Sequence, residues 1–192
     1  MVIGIPMVSC RDDVCSGCVL GKHHRDSFEK CASWHASTLL QLVQSDLCGP
    51  FPVVSIFGYK YCLTFIDDFS RRTWVYFLKL KSEVFNMFLA FKAFVEKQSK
   101  YQILKLRYDN GGEYVNNKFI NFCTKNGIQM QHIVPYTPQQ NGVVERKNRT
   151  LKEMANCMLQ SKEHRINYWA EAINCANYII NRTPTKFLKN HS

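Results

Sequence analysis

Residues 39–46, Leu-Leu-Gln-Leu-Val-Gln-Ser-Asp, form a mostly apolar run that closes on a carboxylate. The turn-forming triplet Cys48-Gly49-Pro50 follows almost at once. A short apolar run that stops at glycine and proline is typical of a mostly buried β-strand. This stretch therefore predicts a strand that carries Asp46 to the rim of a sheet.

The sequence beyond this strand alternates between strand and helix patterns. Runs rich in β-branched and aromatic residues predict strands, and apolar stripes at helical spacing predict helices. The predicted elements are a hairpin of 61–65 and 73–80, a helix from Ser82, a strand at 103–106, a helix ending near Asn126-Gly127, a strand at 128–134, a loop at 135–142, and helices at 143–160 and 166–181. This order predicts an α/β domain with a mixed sheet.

Aromatic side chains make up 13% of the chain and could serve either the core or the stacking of nucleic-acid bases. Their helix or strand spacing favours the core. The residues assigned to the core on this ground are Trp74, Tyr76, Phe85, Phe88, Phe91 and Phe94.

Composition limits the class of protein and of partner. With 192 residues, of which 46% are hydrophobic, the chain can bury a core of ordinary size. A formal charge of +10 favours a polyanionic partner such as nucleic acid, although charge alone does not establish one. The cysteines lie inside apolar runs, and the sequence shows neither a secretory signal pattern nor a long apolar span. These features predict an intracellular protein, nuclear and cytoplasmic, that is neither secreted nor in a membrane.

Three carboxylates occupy positions that suit a metal site. Asp46 ends the first predicted strand, Asp109 ends the fourth, and Glu145 begins a helix that follows a predicted flexible loop. Three converging carboxylates suit Mg²⁺ or Mn²⁺, and two such ions can catalyse phosphoryl transfer. Turn and cap chemistry explains the same residues without any metal. Periodicity alone also leaves Asp67 and Asp68 open as ligands.

Several short sequence motifs favour the metal site over turn and cap chemistry as the explanation of these carboxylates. Thirty-five residues separate Asp109 from Glu145, as in the D,D-35-E signature of retroviral and retrotransposon integrases. The likeness continues in six further motifs, at residues 45–50 (Ser-Asp-Leu-Cys-Gly-Pro), 64–71 (Thr-Phe-Ile-Asp-Asp-Phe-Ser-Arg), 109–114 (Asp-Asn-Gly-Gly-Glu-Tyr), 135–150, 169–172 and 181–184. The chain thus resembles the integrase region of copia-type (Pseudoviridae) LTR retrotransposon Pol polyproteins over nearly its whole length. One departure is Tyr108, where relatives often carry a small residue.

The resemblance implies a ribonuclease-H-like fold with a mixed five-stranded sheet flanked by helices. It implies that Asp46, Asp109 and Glu145 are the catalytic residues and hold two Mg²⁺ or Mn²⁺ ions, and it excludes Asp67 and Asp68 as ligands. The implied function is DNA integration, in which element 3′ ends are joined to target DNA by a homo-oligomer.

The N-terminal residues 1–37 differ in composition from the predicted core at 38–192. Cys15 and Cys18 form a CxxC pair, which needs a second ligand pair to hold Zn²⁺. In the family this pair closes a His-His-Cys-Cys zinc module, and no histidine precedes His23 here. We therefore expect residues 1–37 to be a truncated remnant of that module with an incomplete zinc site, followed by a linker.

Candidate DNA contacts lie around the helix of Glu145. Arg149 and Lys152 follow Glu145 by four and seven residues, share its helix face, and could bind DNA phosphates. Tyr136, Gln139 and Gln140 in the predicted loop could reach bases or sugars. The alternative is a solvated basic face with pairs such as Arg149 with Glu153.

The sequence supports two main functions, and a hydrolytic nuclease of the same fold is a third that the flanking motifs disfavour because they fit integrases specifically. The first is a metal-dependent polynucleotidyl transferase of the integrase type. The second is a catalytically inactive nucleic-acid-binding remnant of a decayed element, which would keep the fold and the basic surface.

Overall fold

The computed structural model describes residues 34–109, 111–133, 138–161 and 165–183. The predictions for Cys15, Cys18 and Tyr136 lie outside these ranges. For Gln139 and Gln140 only the backbone is described.

A five-stranded mixed sheet forms the centre of the domain, as predicted. Its strands are β1 (Val43–Cys48), β2 (Tyr61–Asp67), β3 (Thr73–Leu78), β4 (Lys105–Tyr108) and β5 (Gln129–His132), in the spatial order β3-β2-β1-β4-β5. The first three strands pair in antiparallel fashion, whereas β4 runs parallel to both β1 and β5. The sequence expectation of a mixed sheet is confirmed, and β1 lies at its middle.

Four α-helices accompany the sheet. They are α1 (Val84–Ser99), α2 (Asn117–Lys125), α3 (Pro138–Ser161) and α4 (Trp169–Ile180), and 3-10 turns at Lys81–Glu83 and Ile166–Tyr168 lead into α1 and α4. Asn116 caps α2, because its side-chain oxygen accepts a hydrogen bond from the backbone N–H of Phe119 at 2.8 Å. At the entry to α1 no such cap forms, and Glu83 instead accepts hydrogen bonds from the backbone of Lys79 and Leu80.

The sheet carries a core on each face, because successive strand residues point to opposite sides. On one face Phe65 of β2 stacks on Phe91 of α1 with ring centroids 4.2 Å apart. On the other face Cys62 packs with Ala155 of α3 and Trp169 of α4. The domain is therefore a helix–sheet–helix sandwich, and α3 lies on the same face as the even-numbered residues of β1.

Two sequence predictions were wrong in detail. Helix α3 begins at Pro138, inside the predicted loop, since proline is well suited to a first helical position and glycine at 142 does not stop the helix. Glu145 therefore lies two turns into α3 and not at its start. Phe94 is 47% exposed, because the buried stripe of α1 runs through Val84, Phe88, Phe91 and Val95. The other five predicted core aromatics are buried or pack against the core.

In the described ranges, no helix combines the length and the apolar character that crossing a membrane requires.

Candidate active site

Asp46 and Asp109 are brought together by the pairing of β1 with β4. Ser45 lies opposite Tyr108 in this parallel pair, so the two aspartates follow at the same level of adjacent strands. Burial raises the pKa of Asp46 above its ordinary value, and the negative charge of Asp109 raises it further. The expectation that these two carboxylates lie side by side on neighbouring strands agrees with this pairing, although β1 continues two residues beyond Asp46 and does not end there.

One oxygen of Asp46 has two side-chain donors. The thiol of Cys48, two residues along β1, donates to Oδ2 at 3.1 Å. Burial and the charge of Asp46 raise the pKa of Cys48 to about 12, so this thiol keeps its proton at neutral pH. The second donor is the amide of Asn148 on α3, which also approaches the sulfur of Cys48 at 3.6 Å. Helix α3 is thus tied to the central strand at the candidate site.

Sequence reasoning missed Asn148 as a residue of the site. Its side chain is only 7% exposed, although the exposed faces of α3 are strongly polar. An asparagine three residues after Glu145 lies on the same side of the helix, and this spacing is a signal that could have found it.

Asp109 contributes an oxygen that lacks a partner. Its Oδ1 is buried, and no hydrogen-bond donor reaches it from the described residues. A buried carboxylate oxygen of this kind calls for an explanation, and a bound cation is one that would satisfy it. Two adjacent carboxylates with a vacant oxygen have the hard-donor chemistry that Mg²⁺ and Mn²⁺ prefer, so the residues present fit such an ion.

Glu145 is the third predicted ligand, and the structure does not place it with the other two. Its side chain is exposed on α3, one turn before Asn148. Across the described ranges, no three His, Cys, Asp or Glu side chains lie close enough to hold one ion. The assignment of Glu145 as a ligand stays a prediction.

Asp67 and Asp68 have a structural role in the described part of the chain. Asp67 is fully buried and accepts hydrogen bonds from the backbone of Leu40 and Ser70 and from the hydroxyl of Ser70. Asp68, also buried, accepts from Ala36, Gln44 and Arg71. Asp67 pairs with Val43 at the start of β1, whereas Asp46 pairs with Thr64. These carboxylates therefore hold the turn after β2 and the segment before β1 in place.

Tyr108, the local departure from the family pattern, points away from the carboxylates. Its ring is buried in the core on the α1 side, where it stacks on Tyr114 with centroids 5.0 Å apart. The hydroxyl of Tyr114 in turn lies 2.6 Å from that of Ser45. The bulk of Tyr108 is accommodated in the core and does not occupy the site beside Asp109.

The two predicted phosphate contacts on α3 have different surroundings. Arg149 is exposed, and no ion pair with Glu153 forms among the described side chains. Lys152 is near enough to Asp46 for its charge to lower the pKa of that carboxyl, against the larger effect of burial. Its ammonium also lies 5.7 Å from the centroid of the Phe51 ring.

Residues 38–138, which include β1 to β5 and both aspartates, match the integrase core domain family. The chain belongs to the integrase core domain family. It is 46% identical over 171 residues to the retrovirus-related Pol polyprotein from transposon TNT 1-94 of Nicotiana tabacum, which covers 89% of this chain and 13% of that polyprotein. The sequence resemblance to retrotransposon Pol proteins is thereby confirmed. The chain spans about an eighth of the length of the curated relatives it matches.

Solved integrases share the architecture of this integrase core. The integrase in the simian T-cell lymphotropic virus intasome bound to the PP2A regulatory subunit B56 gamma aligns with a TM-score of 0.62 and 22% identity, over 79% of this chain and 52% of that chain. The HTLV-2 integrase catalytic core domain in complex with magnesium, in a dimeric form, aligns with a TM-score of 0.58 and 22% identity, over 77% and 90%. The predicted ribonuclease-H-like fold is confirmed.

Proposed function

We propose that this integrase core is a metal-dependent polynucleotidyl transferase that joins the 3′ ends of retrotransposon DNA to target DNA. The observation that carries the proposal is the juxtaposition of Asp46 and Asp109 on adjacent parallel strands, with an oxygen of Asp109 left unpartnered. The family membership of the segment that holds both residues supports the same chemistry.

In this mechanism Asp46 and Asp109 are the primary ligands of Mg²⁺ or Mn²⁺, and Glu145 completes the site from α3. Two such ions, when bound, lower the cost of generating the attacking oxygen and stabilise the departing one. The HTLV-2 core, which has the same fold, is in complex with magnesium.

The protein's own residues position this chemistry. Asn148 and the protonated thiol of Cys48 fix one oxygen of Asp46, which orients the carboxylate. The short β1–β4 pairing sets the spacing of the two aspartates. Because the donors are neutral, they orient Asp46 without cancelling the charge that a cation needs.

DNA is the proposed partner, and Arg149 and Lys152 are its proposed phosphate contacts, with Gln139 in the first turn of α3 and Tyr136 two residues before that helix. The net charge of +10 supports a polyanion.

Residues 38–192 would form the catalytic core, and residues 1–37, with Cys15 and Cys18 as candidate zinc ligands, would form a separate segment. The structural neighbours, which are a dimer and an intasome, support action as a homo-oligomer on DNA.

A strand-transfer assay with Mn²⁺ tests the proposal on the whole 192-residue chain. The substrates are a labelled donor duplex with a recessed 3′ end and a plasmid target. The parent and Glu153→Gln, an exposed acidic position elsewhere on α3, should form product, and Asp109→Asn should not. Equal product from the parent and Asp109→Asn would overturn the proposal.

A second candidate is a nucleic-acid-binding remnant without catalysis. The exposed side chain of Glu145 favours it, because among the described residues it does not form a three-ligand group with the aspartates. This candidate predicts duplex binding by the parent and no product from any variant at any concentration of Mn²⁺.

A further inference from the structure

A second group of charged side chains lies outside the candidate active site. One cavity of about 420 Å³ is lined by four cationic residues together with polar and apolar neighbours. The cations are Arg71 and Arg72 of the β2–β3 turn, Lys147 of α3 and Arg182 after α4. The hydroxyl-bearing Ser70 and Thr183 complete its polar wall. None of these residues was assigned a role by the sequence or by the proposed mechanism.

The charges in this cavity are poorly neutralised. Arg71 donates to Asp68 at 2.9 Å, and that buried carboxylate is already shared with other donors. For Arg72, Lys147 and Arg182 no carboxylate lies within ion-pair distance among the described residues. Lys147 and Arg182 therefore bring two charges to the cavity without a paired carboxylate among the described residues, and an anion that entered it would satisfy them.

The cations are held by rings and by the backbone in place of carboxylates. The guanidinium of Arg182 lies 3.5 Å from the centroid of the Tyr178 ring and donates to the carbonyl oxygen of Tyr178 at 3.3 Å. Arg72, which also borders a neighbouring cavity with Trp74, lies 5.3 Å from the centroid of the Trp74 ring. Cation–π contacts of this kind orient a guanidinium and leave its charge available to a ligand.

The wall of the cavity is also fixed. Asn181 at the end of α4 accepts a hydrogen bond from the backbone N–H of Thr73 at 2.9 Å and donates to its carbonyl at 2.7 Å. This pair of hydrogen bonds between the end of α4 and the start of β3 holds Arg182 next to the β2–β3 turn. Lys147 is half-buried in this wall.

We propose that this cavity is a second phosphate-binding site, which takes a phosphodiester of the nucleic-acid backbone. Lys147 immediately precedes Asn148, the residue that contacts Asp46, so α3 joins the two sites. Adjacent helix residues diverge by about 100°, which places the cavity roughly one helix diameter, about 10 Å, from the carboxylates. With about 3.4 Å of axis per nucleotide, a strand can reach both sites within a few nucleotides. The assignment of that strand as DNA rests on the proposed function.

Binding of a labelled 20-base-pair duplex in EDTA, measured by fluorescence anisotropy, tests the site without any catalytic step. The cavity variant is Lys147→Met with Arg182→Gln. The matched control is Lys97→Met with Lys125→Gln, which removes the same charge from exposed positions on α1 and α2. The cavity variant should bind about tenfold more weakly, with a salt slope shallower by roughly 0.9 per lost phosphate contact, and the control should stay within about twofold of the parent.

Two further measurements keep the test decisive. Lys147→Met alone should melt no lower than the parent, because it removes a half-buried charge beside Arg71, and it should still bind the duplex more weakly, so that its loss of affinity cannot be due to unfolding. Equal loss in the cavity variant and the control would overturn the site. Stabilisation by inorganic phosphate that Lys147→Met abolishes, with unchanged duplex affinity, would overturn the phosphodiester and leave a site for a small free anion. If the parent forms no strand-transfer product yet the cavity variant loses duplex affinity, the proposed catalysis fails and the phosphate site stands.

Discussion

The amide of Asn148 on α3 donates a hydrogen bond to Oδ2 of Asp46 on β1, although 102 positions separate the two residues in sequence. This contact links the helix that carries Glu145 to the strand that carries the first carboxylate. It also leaves the other oxygen of Asp46 available to a cation. The orientation of Asp46 therefore depends on how α3 is seated on the sheet.

Replacement of Asn148 by Ala should weaken Mg²⁺ binding by about tenfold, because residues that orient a ligand typically contribute tenfold or more to metal affinity. Calorimetric titration of the metal measures the change. Asn156→Ala, an exposed asparagine on the same helix, is the matched control and should bind Mg²⁺ as the parent does. Equal affinity in the two variants would mean that Asn148 only packs against β1.

The raised pKa of Asp46 makes the metal-free protein sensitive to pH. Since burial raises the folded-state pKa above the ordinary value of 3.8, the stabilising contribution of protonated Asp46 is complete below 3.8 and is lost as pH rises through the raised value. Asp46→Asn should therefore melt higher than the parent at pH 7 in EDTA. The difference should shrink to nothing as the pH falls below 3.8. A difference in melting temperature that does not vary with pH would contradict this account.

Asp67→Asn should destabilise the fold, because both carboxylate oxygens of Asp67 accept hydrogen bonds. Asp67→Asn places an amide where the backbone and hydroxyl of Ser70 donate, which leaves part-buried donors without an acceptor. We expect a loss of about 2–3 kcal/mol in the free energy of unfolding, measured by urea denaturation. The loss should be the same with and without Mg²⁺, and a loss seen only with the metal would return Asp67 to the list of ligands.

The sequence predicted most of this architecture because its signals are local. The apolar run before Asp46, the hairpin pattern around residues 67–71 and the stripe of α1 each depend on near neighbours. The motifs also identified the aspartate pair. By contrast, the contact between Asn148 and Asp46 and the basic cavity join residues from distant elements, and no periodic pattern encodes such contacts. The start of α3 at Pro138 was missed because proline and glycine suit a loop as well as a helix start.

Glu145 is the predicted ligand that the structure does not bring together with the aspartates, so its variant discriminates between the two candidate functions. Glu145→Gln should abolish the rise in melting temperature that Mg²⁺ produces, while the metal-free melting temperature stays within a few degrees of the parent, since the side chain is exposed. Thermal unfolding without metal, and with Mg²⁺ at ten times the parent's dissociation constant, measures the two melting temperatures. Unchanged Mg²⁺ stabilisation in the Gln variant would remove Glu145 from the site.

Arg149 and Lys152 should separate into two kinds of DNA contact. Arg149 is exposed, and its charge is not among those that shift the pKa of Asp46. Arg149→Ala should therefore make the salt dependence of duplex binding shallower by roughly 0.9 and leave Mg²⁺ affinity unchanged. Lys152 lies near Asp46, so Lys152→Ala should lower duplex affinity and also strengthen Mg²⁺ binding, because it removes a cation that repels the metal.

Anisotropy titrations at several salt concentrations and calorimetry of Mg²⁺ binding distinguish these outcomes. Lys152→Arg keeps the charge and should restore both values toward those of the parent. If both alanine variants lose duplex affinity with no change in salt slope, the residues act through the packing of α3 and not through phosphate contacts. If Lys152→Ala leaves Mg²⁺ affinity unchanged while Arg149→Ala alters it, the charge that acts on Asp46 is that of Arg149, and the face of α3 turned toward the carboxylates is misassigned.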